Sequence, residues 1–298
     1  MTAESDTSIN GAGLKIAVQD YGGQGLPILL LHGAGCSLAH WLLMAPLLAK
    51  QHRVVAMDFR GHGLSEAGPW SIEALMGDME AVCRHYAFSD VALVGHSMGG
   101  VLATLYAARH PNIASVVNLD GFGLTPSEYA DLDPADVVER QRRLRAEDES
   151  SSIDIEARIS SYRKEITLNA AQAEGIARRE HRQSLNIGLN EKEWIQIFSG
   201  IHWLFYEYLA KQSFFELLNA TSNRTLIFKA GRRPTLLDQA LWKQDLFAVF
   251  FAGINRELAR LHDSRKIRVE TIDATHGMLL EIPEKLAARI NDFLQERE

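Results

Sequence analysis

Apolar positions along this chain follow two rhythms. Short, largely apolar runs occur at Pro27–Leu31, Arg53–Met57, Val91–Val94 and Ile113–Leu119. Such runs suit parallel strands covered on both faces. Between them, apolar residues recur at helical spacing over His40–Lys50, Ser71–Phe88 and Val101–Arg109. Ser71 stands where an N-cap belongs, its hydroxyl free to accept an N–H of the first turn. Leu14–Tyr21 alternates instead, and reads as a half-buried strand. Strand and helix thus alternate up to residue 120. That alternation predicts an α/β fold with a mostly parallel, doubly wound sheet, its right-handed crossovers laying helices on both faces.

The rhythm then stops. Helical patterns occupy Pro134–Asp148, Ile153–Thr167, Ala170–Gln183 and Glu191–Ala210, with no good strand among them. A stretch this long with helices of its own is too large for a loop, and predicts an inserted all-helical cap. Strands resume at Arg224–Lys229 and Lys266–Ile272, with a helical stretch over Leu236–His262 between them. Pro283 opens a final helix that runs to Gln295. The expected division is a polar tail over 1–12, a sheet core over 13–123 and 222–298, and a cap over 124–221.

Composition narrows the function classes. The chain has 298 residues, 46% of them hydrophobic, and a net charge of -7. The core can be large enough to stand without disulfides. Nothing in the charge pattern suits nucleic acid. The basic cluster Arg140, Arg142, Arg143 and Arg145 is diluted by Glu139, Glu147, Asp148 and Glu149, and reads as a solvated helix face. The two cysteines, Cys36 and Cys83, form no disulfide framework, so a reducing compartment is expected. The first residues are polar and acidic, unlike a secretory signal, and no apolar run reaches membrane-spanning length. The expectation is a cytoplasmic monomer or homodimer with a small-molecule substrate and neither a nucleic-acid nor a membrane partner.

The chemistry centres on Gly95-His96-Ser97-Met98-Gly99, which sits between an apolar run and a helix. A serine at a tight strand-to-helix turn stands clear of the sheet, and glycines leave room for neighbouring backbone. Ser97 is the candidate nucleophile. A serine hydroxyl needs a base, and the base an orienting carboxylate. In a parallel sheet the loops after the strands converge at one edge. They would bring together His32-Gly33-Ala34-Gly35, Ser97, Asp120 and His276. His276, after the last strand, is the candidate base. The oxyanion of acyl transfer would be held by the N–H groups of Ala34 and Met98. No cysteine or histidine spacing marks a metal site, no glycine turn has dinucleotide or Walker character, and no cofactor is expected.

Leu29-Leu30-Leu31-His32-Gly33, Asp58-Phe59-Arg60-Gly61-His62-Gly63-Leu64-Ser65, Gly95-His96-Ser97-Met98-Gly99-Gly100 and Thr275-His276-Gly277 occur in this order. In this the chain resembles the α/β-hydrolase fold superfamily, and within it the esterase and C–C hydrolase branches that carry a helical cap. The resemblance runs from about Leu14 to Gln295, except for the cap. It implies a serine hydrolase of a carboxylic ester or related acyl bond. The alternatives are a C–C bond (β-diketone) hydrolase and a non-catalytic ligand receptor. Serine at position 97 argues against the dehalogenase and epoxide hydrolase members, which carry aspartate there.

The family's acid usually follows the strand after the cap, but here Ala230-Gly231-Arg232-Arg233-Pro234 offers no carboxylate. Some similar members carry the acid one strand earlier, where this chain has Asp120. Asp238 is the alternative. The resemblance makes Asp58, Arg60 and His62 mainly structural. Expected substrate contacts are Cys36 beside the oxyanion loop, Phe122 after Asp120, and Trp203 in the cap.

Overall fold

The computed structural model describes residues 7–123, 128–150, 160, 168–186, 204–211, 213–233, 239–261 and 266–296. Eight strands form one sheet in the order β1-β2-β4-β3-β5-β6-β7-β8. They are β1 Thr7–Asn10, β2 Lys15–Gly22, β3 Pro27–Leu31, β4 Arg53–Met57, β5 Ala92–His96, β6 Ser115–Leu119, β7 Arg224–Ala230 and β8 Ile267–Ile272. β1 and β2 join antiparallel, and every pairing from β4 to β8 is parallel. The mostly parallel doubly wound sheet of an α/β fold is therefore present.

The apolar runs work as two-sided strands because successive side chains face opposite ways. Leu29 and Leu31 of β3 join Val55 and Leu93 in a core with the helices Ile72–His85 and Met98–Arg109. Ile28 and Leu30 face the other way, among Val54, Val94, Trp41 and the Leu286, Ile290 and Phe293 stripe of the helix Pro283–Gln295. Ser71 caps its helix, its Oγ accepting the Ala74 N–H at 3.0 Å.

Two local expectations fail. Residues 1–12 are not all tail: Thr7–Asn10 pairs with Lys15–Val18 as an edge strand, and Ile9 is buried against the core. One apolar residue in so short a strand leaves no periodicity to detect. The expected helix His40–Lys50 is instead a 3-10 turn, Leu38–Trp41, followed by a short helix, Ala45–Leu48. Pro46 explains the break, because it has no N–H for the preceding turn and its ring crowds the carbonyl four residues back.

Between β6 and β7 the described residues include the helices Pro134–Ser150 and Ala170–Asn186, a helical turn over 204–209, and the helix Phe214–Ala220. Most of the expected helices Ile153–Thr167 and Glu191–Ala210, with Trp203, lies outside the described residues. After β7 the helix Leu241–Arg260 begins later than expected.

Candidate active site

Ser97 sits between the end of β5 and the first residue of the helix Met98–Arg109, with φ 52 and ψ -118. Left-handed backbone disfavours residues with a Cβ by about 1–2 kcal/mol. The turn is held by its neighbours. The Ser97 N–H donates to Leu119 O at 2.9 Å, and Gly100 N–H donates to Ser97 O at 2.9 Å. Both flanking glycines are required by packing. A Cβ on Gly95 would stand 2.2 Å from Gly99 O, and one on Gly99 would stand 2.2 Å from Leu31 O. Helix and sheet touch through bare backbone, and the serine is carried to the sheet's carboxyl edge.

Asp120 follows β6 and also has positive φ, 53. Its N–H donates to Phe228 O at 2.8 Å, which carries the β6–β7 ladder one residue beyond the strand. Both carboxylate oxygens are used. Oδ1 accepts the Ala230 N–H at 2.9 Å, and Oδ2 accepts from His276 Nδ1 at 2.8 Å. The Asp120 side chain is 6% exposed and that of His276 52%. A proton held on Nδ1 leaves the His276 Nε2 lone pair to face outward. His96 steadies the ring from behind: its Nε2–H donates to His276 O at 2.8 Å, and the two rings lie 4.7 Å apart. Burial first, and then the His276 charge, hold His96 well below the usual imidazole range, so it is neutral. Ser97 and His276 line one cavity, with no hydrogen bond between their side chains among the described residues.

The His32–Gly35 loop lies against this turn. A Cβ on Gly33 would stand 3.2 Å from Ser97 Cβ. Ala34 lies between Gly33 and Gly35, and Gly35 has φ 68. The loop's shape is fixed from behind by neutral histidines. His32 donates from Nδ1 to Gly33 O at 2.7 Å and accepts the Phe59 N–H on Nε2 at 3.0 Å. His62 Nε2 accepts the Gly35 N–H at 3.1 Å. Burial pushes His32 and His62 each down to about 3. Asp58 completes the frame, accepting the Leu38 N–H at 2.7 Å and the Leu64 N–H at 2.9 Å. Arg60 is buried in a fork with Asp78 at 2.7 and 3.0 Å.

The cavity holding Ser97, Asp120 and His276 measures about 460 Å³. Met98 and Phe122 also line it, whereas Cys36 does not. Its turn points the sulfur toward His40, and the two meet Glu180 from the helix Ala170–Asn186. Each of the three offers one ligand atom, all within 4.8 Å of one another, so they could hold a cation. His40 is bonded to Glu180 through Nε2. Burial opposes charging His40, but the Cys36 sulfur and the Glu180 carboxylate raise it to about 10. Trp203 and Asp238 lie outside the described residues.

Sequence reasoning missed most of the cavity wall. Phe247, Phe250 and Phe251 come from the helix Leu241–Arg260, assigned to the core rather than to the site. Arg145 reaches the wall although its cluster reads as solvated, while Arg143 lies over Trp242 at 4.3 Å. Arg233 is a wall residue too. The signal for it was available: two arginines occupy the turn where the family's usual acid is absent.

A parallel sheet with a strained serine between strand and helix, and a histidine–aspartate pair at the same edge, defines a class of α/β proteins built around one turn. The chain belongs to the alpha/beta hydrolase fold family, whose model matches residues 27–243. It is similar to a "Serine hydrolase-like protein" of Danio rerio, 35% identical over 113 residues, which is 36% of this chain and 35% of that protein. A "Fluoroacetate dehalogenase" of Burkholderia sp is 35% identical over 113 residues, 36% of each chain. The matched segment thus spans about a third of these relatives' length. The structure of E-2-(Acetamidomethylene)succinate Hydrolase superposes with a TM-score of 0.69 at 19% identity, covering 98% of this chain and all of that one. Among the described residues no helix is long and apolar enough to cross a membrane.

Proposed function

We propose that this protein is a serine hydrolase that cleaves a carboxylic ester or related acyl bond through an acyl-enzyme. Ser97 Oγ attacks the acyl carbon while its proton passes to His276 Nε2. Asp120 keeps the other ring proton on Nδ1 and balances the imidazolium that forms. The Ala34 and Met98 N–H groups hold the oxyanion, Met98 with the added field of its helix N-terminus. The tetrahedral adduct collapses, and the alcohol leaves with the proton from Nε2. Water then repeats the sequence on the acyl-serine, releasing the acid and restoring Ser97.

The observation that carries this reading is the His276 Nδ1–Asp120 Oδ2 bond of 2.8 Å, made in the cavity that Ser97 lines. It gives the histidine the tautomer a general base requires. Frame residues Asp58, His32 and His62 fit a supporting role, since their polar atoms bond to backbone and, for Asp58, to Arg179 as well. The test is p-nitrophenyl ester hydrolysis by the wild type and Ser97→Ala, with fluorophosphonate labelling of Ser97 in the folded protein. Equal rates in the two proteins, or no label, would overturn the reading.

A further inference from the structure

Three arginines, Arg145, Arg232 and Arg233, reach the wall of the cavity that holds Ser97 and His276. Among the described residues the acidic one on that wall is Asp120, and its oxygens are already engaged by Ala230 and His276. The wall is therefore cationic in a chain of net charge -7.

The arginines differ in how they are compensated. Arg232 pairs with Asp273 at 3.1 Å and with Glu281. Among the described residues Arg233 has no such partner. Its guanidinium lies 4.0 Å from the centre of the Phe251 ring, and its Nη2 is buried with no hydrogen-bond acceptor among them. Burial lowers its pKa from the usual arginine value, and the charge of Asp120 acts against that fall. A buried donor left unpaired costs about 1–3 kcal/mol, more where the group is charged. A folded chain seldom retains such a group without a reason. Here the group adjoins an apolar and aromatic cavity that also contains the serine.

We propose that the substrate carries a carboxylate remote from the scissile bond, and that Arg233 binds this carboxylate while the acyl carbon rests at Ser97. The proposal rests on the reading of Ser97 as nucleophile and adds the chemical class of its substrate, a half-acid ester or comparable monoanionic acyl compound. A carboxylate matches the planar guanidinium fork that Arg233 brings to the cavity wall. One uncompensated guanidinium suits one negative charge, whereas a phosphate dianion would need a second. Phe251 holds the guanidinium plane from one side, so little freedom is lost on binding.

The test compares two esters of equal length, p-nitrophenyl hydrogen glutarate and p-nitrophenyl valerate, with wild type, Arg233→Met and Arg233→Lys. The readout is the ratio of kcat/KM for the anionic ester to that for the neutral one. A charge-assisted contact predicts that Arg233→Met lowers this ratio about 10- to 100-fold. Arg233→Lys keeps the charge without the fork and should lie between, which separates loss of binding from loss of fold. In parallel, Ser97→Ala protein is titrated with monomethyl glutarate and methyl valerate, with and without Arg233→Met. Preference for the anion that disappears with Arg233 supports the proposal. A ratio unchanged by Arg233→Met, with no binding preference, overturns it. Should the wild type cleave neither ester while Ser97→Ala still prefers the anion, the nucleophile reading falls and the anion site stands. Cleavage of both esters without preference gives the reverse.

Discussion

Arg179 Nη2 donates to Asp58 Oδ2 at 2.8 Å, joining two residues 121 apart in sequence. Arg179 lies on the helix Ala170–Asn186, and Asp58 follows β4. The aspartate side chain is fully buried and the arginine's is 14% exposed. Asp58 also accepts from Leu38 and Leu64, so the residue that frames the loop near Ser97 fastens a helix above it as well. Breaking a buried pair by removing one partner costs about 3–5 kcal/mol, because the other charge stays buried. Arg179→Met should therefore loosen this helix, seen as faster amide exchange over Ala170–Asn186 and a lower Tm. A double-mutant cycle with Asp58→Asn should give a large coupling term. Additive losses would show that the pair contributes nothing of its own.

The buried histidines set opposite pH limits on stability. His40 is raised from 6.5 to about 10 in the folded state. Its contribution is complete below about pH 6.5 and is lost as pH rises toward 10. His32 and His62 are lowered from 6.5 to about 3. Their contribution is complete above about pH 6.5 and is lost as pH falls toward 3. Tm measured against pH should fall on both sides of neutrality. Glu180→Gln removes a charge that raises His40, so it should flatten the alkaline limb and leave the acid limb in place. An alkaline limb of wild-type steepness in Glu180→Gln would refute this assignment.

Asp120→Asn tests the acid with little change of shape. The Ala230 N–H would hold the amide oxygen, as it now holds Oδ1, and the amide NH2 would face His276. The ring proton would then move to Nε2, the tautomer that cannot take a proton from Ser97. Ester hydrolysis should fall about 10³- to 10⁴-fold, with Tm changed far less. A loss under tenfold would mean that another carboxylate orients the ring.

These assignments differ in how far they could be read from the chain. The turn at Ser97 was legible because its constraint is local: glycine is required where backbones touch, and Gly95 and Gly99 are adjacent in sequence to the serine they serve. Two-sided strands were legible for a similar reason, since burial on both faces leaves few polar residues in the run, Asn118 of β6 being one. Asp120 became a candidate through an absence, the missing carboxylate after β7. The rest depends on contacts that sequence spacing does not record. His40 meets Glu180 across 140 residues. Arg145 and Arg143 belong to one helix and one basic cluster, yet one reaches the cavity wall and the other lies over Trp242. Which side of a charged helix is covered depends on tertiary packing, and a mixed-charge pattern says little about it.

Two glycine-to-alanine changes should move stability in opposite directions. At Gly99 the new methyl would sit 2.2 Å from Leu31 O, against the backbone of β3. Neither chain can yield without opening the contact between the helix Met98–Arg109 and the sheet, and the Ser97 turn would move with it. Gly99→Ala should lose about 1–3 kcal/mol or more, the range for overpacked interiors. At Gly175, inside the helix Ala170–Asn186, an added Cβ meets nothing within 4 Å. Alanine there restricts the unfolded chain and favours the helix, so Gly175→Ala should gain about 0.5–1 kcal/mol. Chemical denaturation of both variants checks the pair, and ester turnover should fall only in Gly99→Ala. Stability loss in Gly175→Ala would mean that its face of the helix is more closely packed than the structure shows, and an undisturbed Gly99→Ala would contradict the bare-backbone contact on which the turn depends.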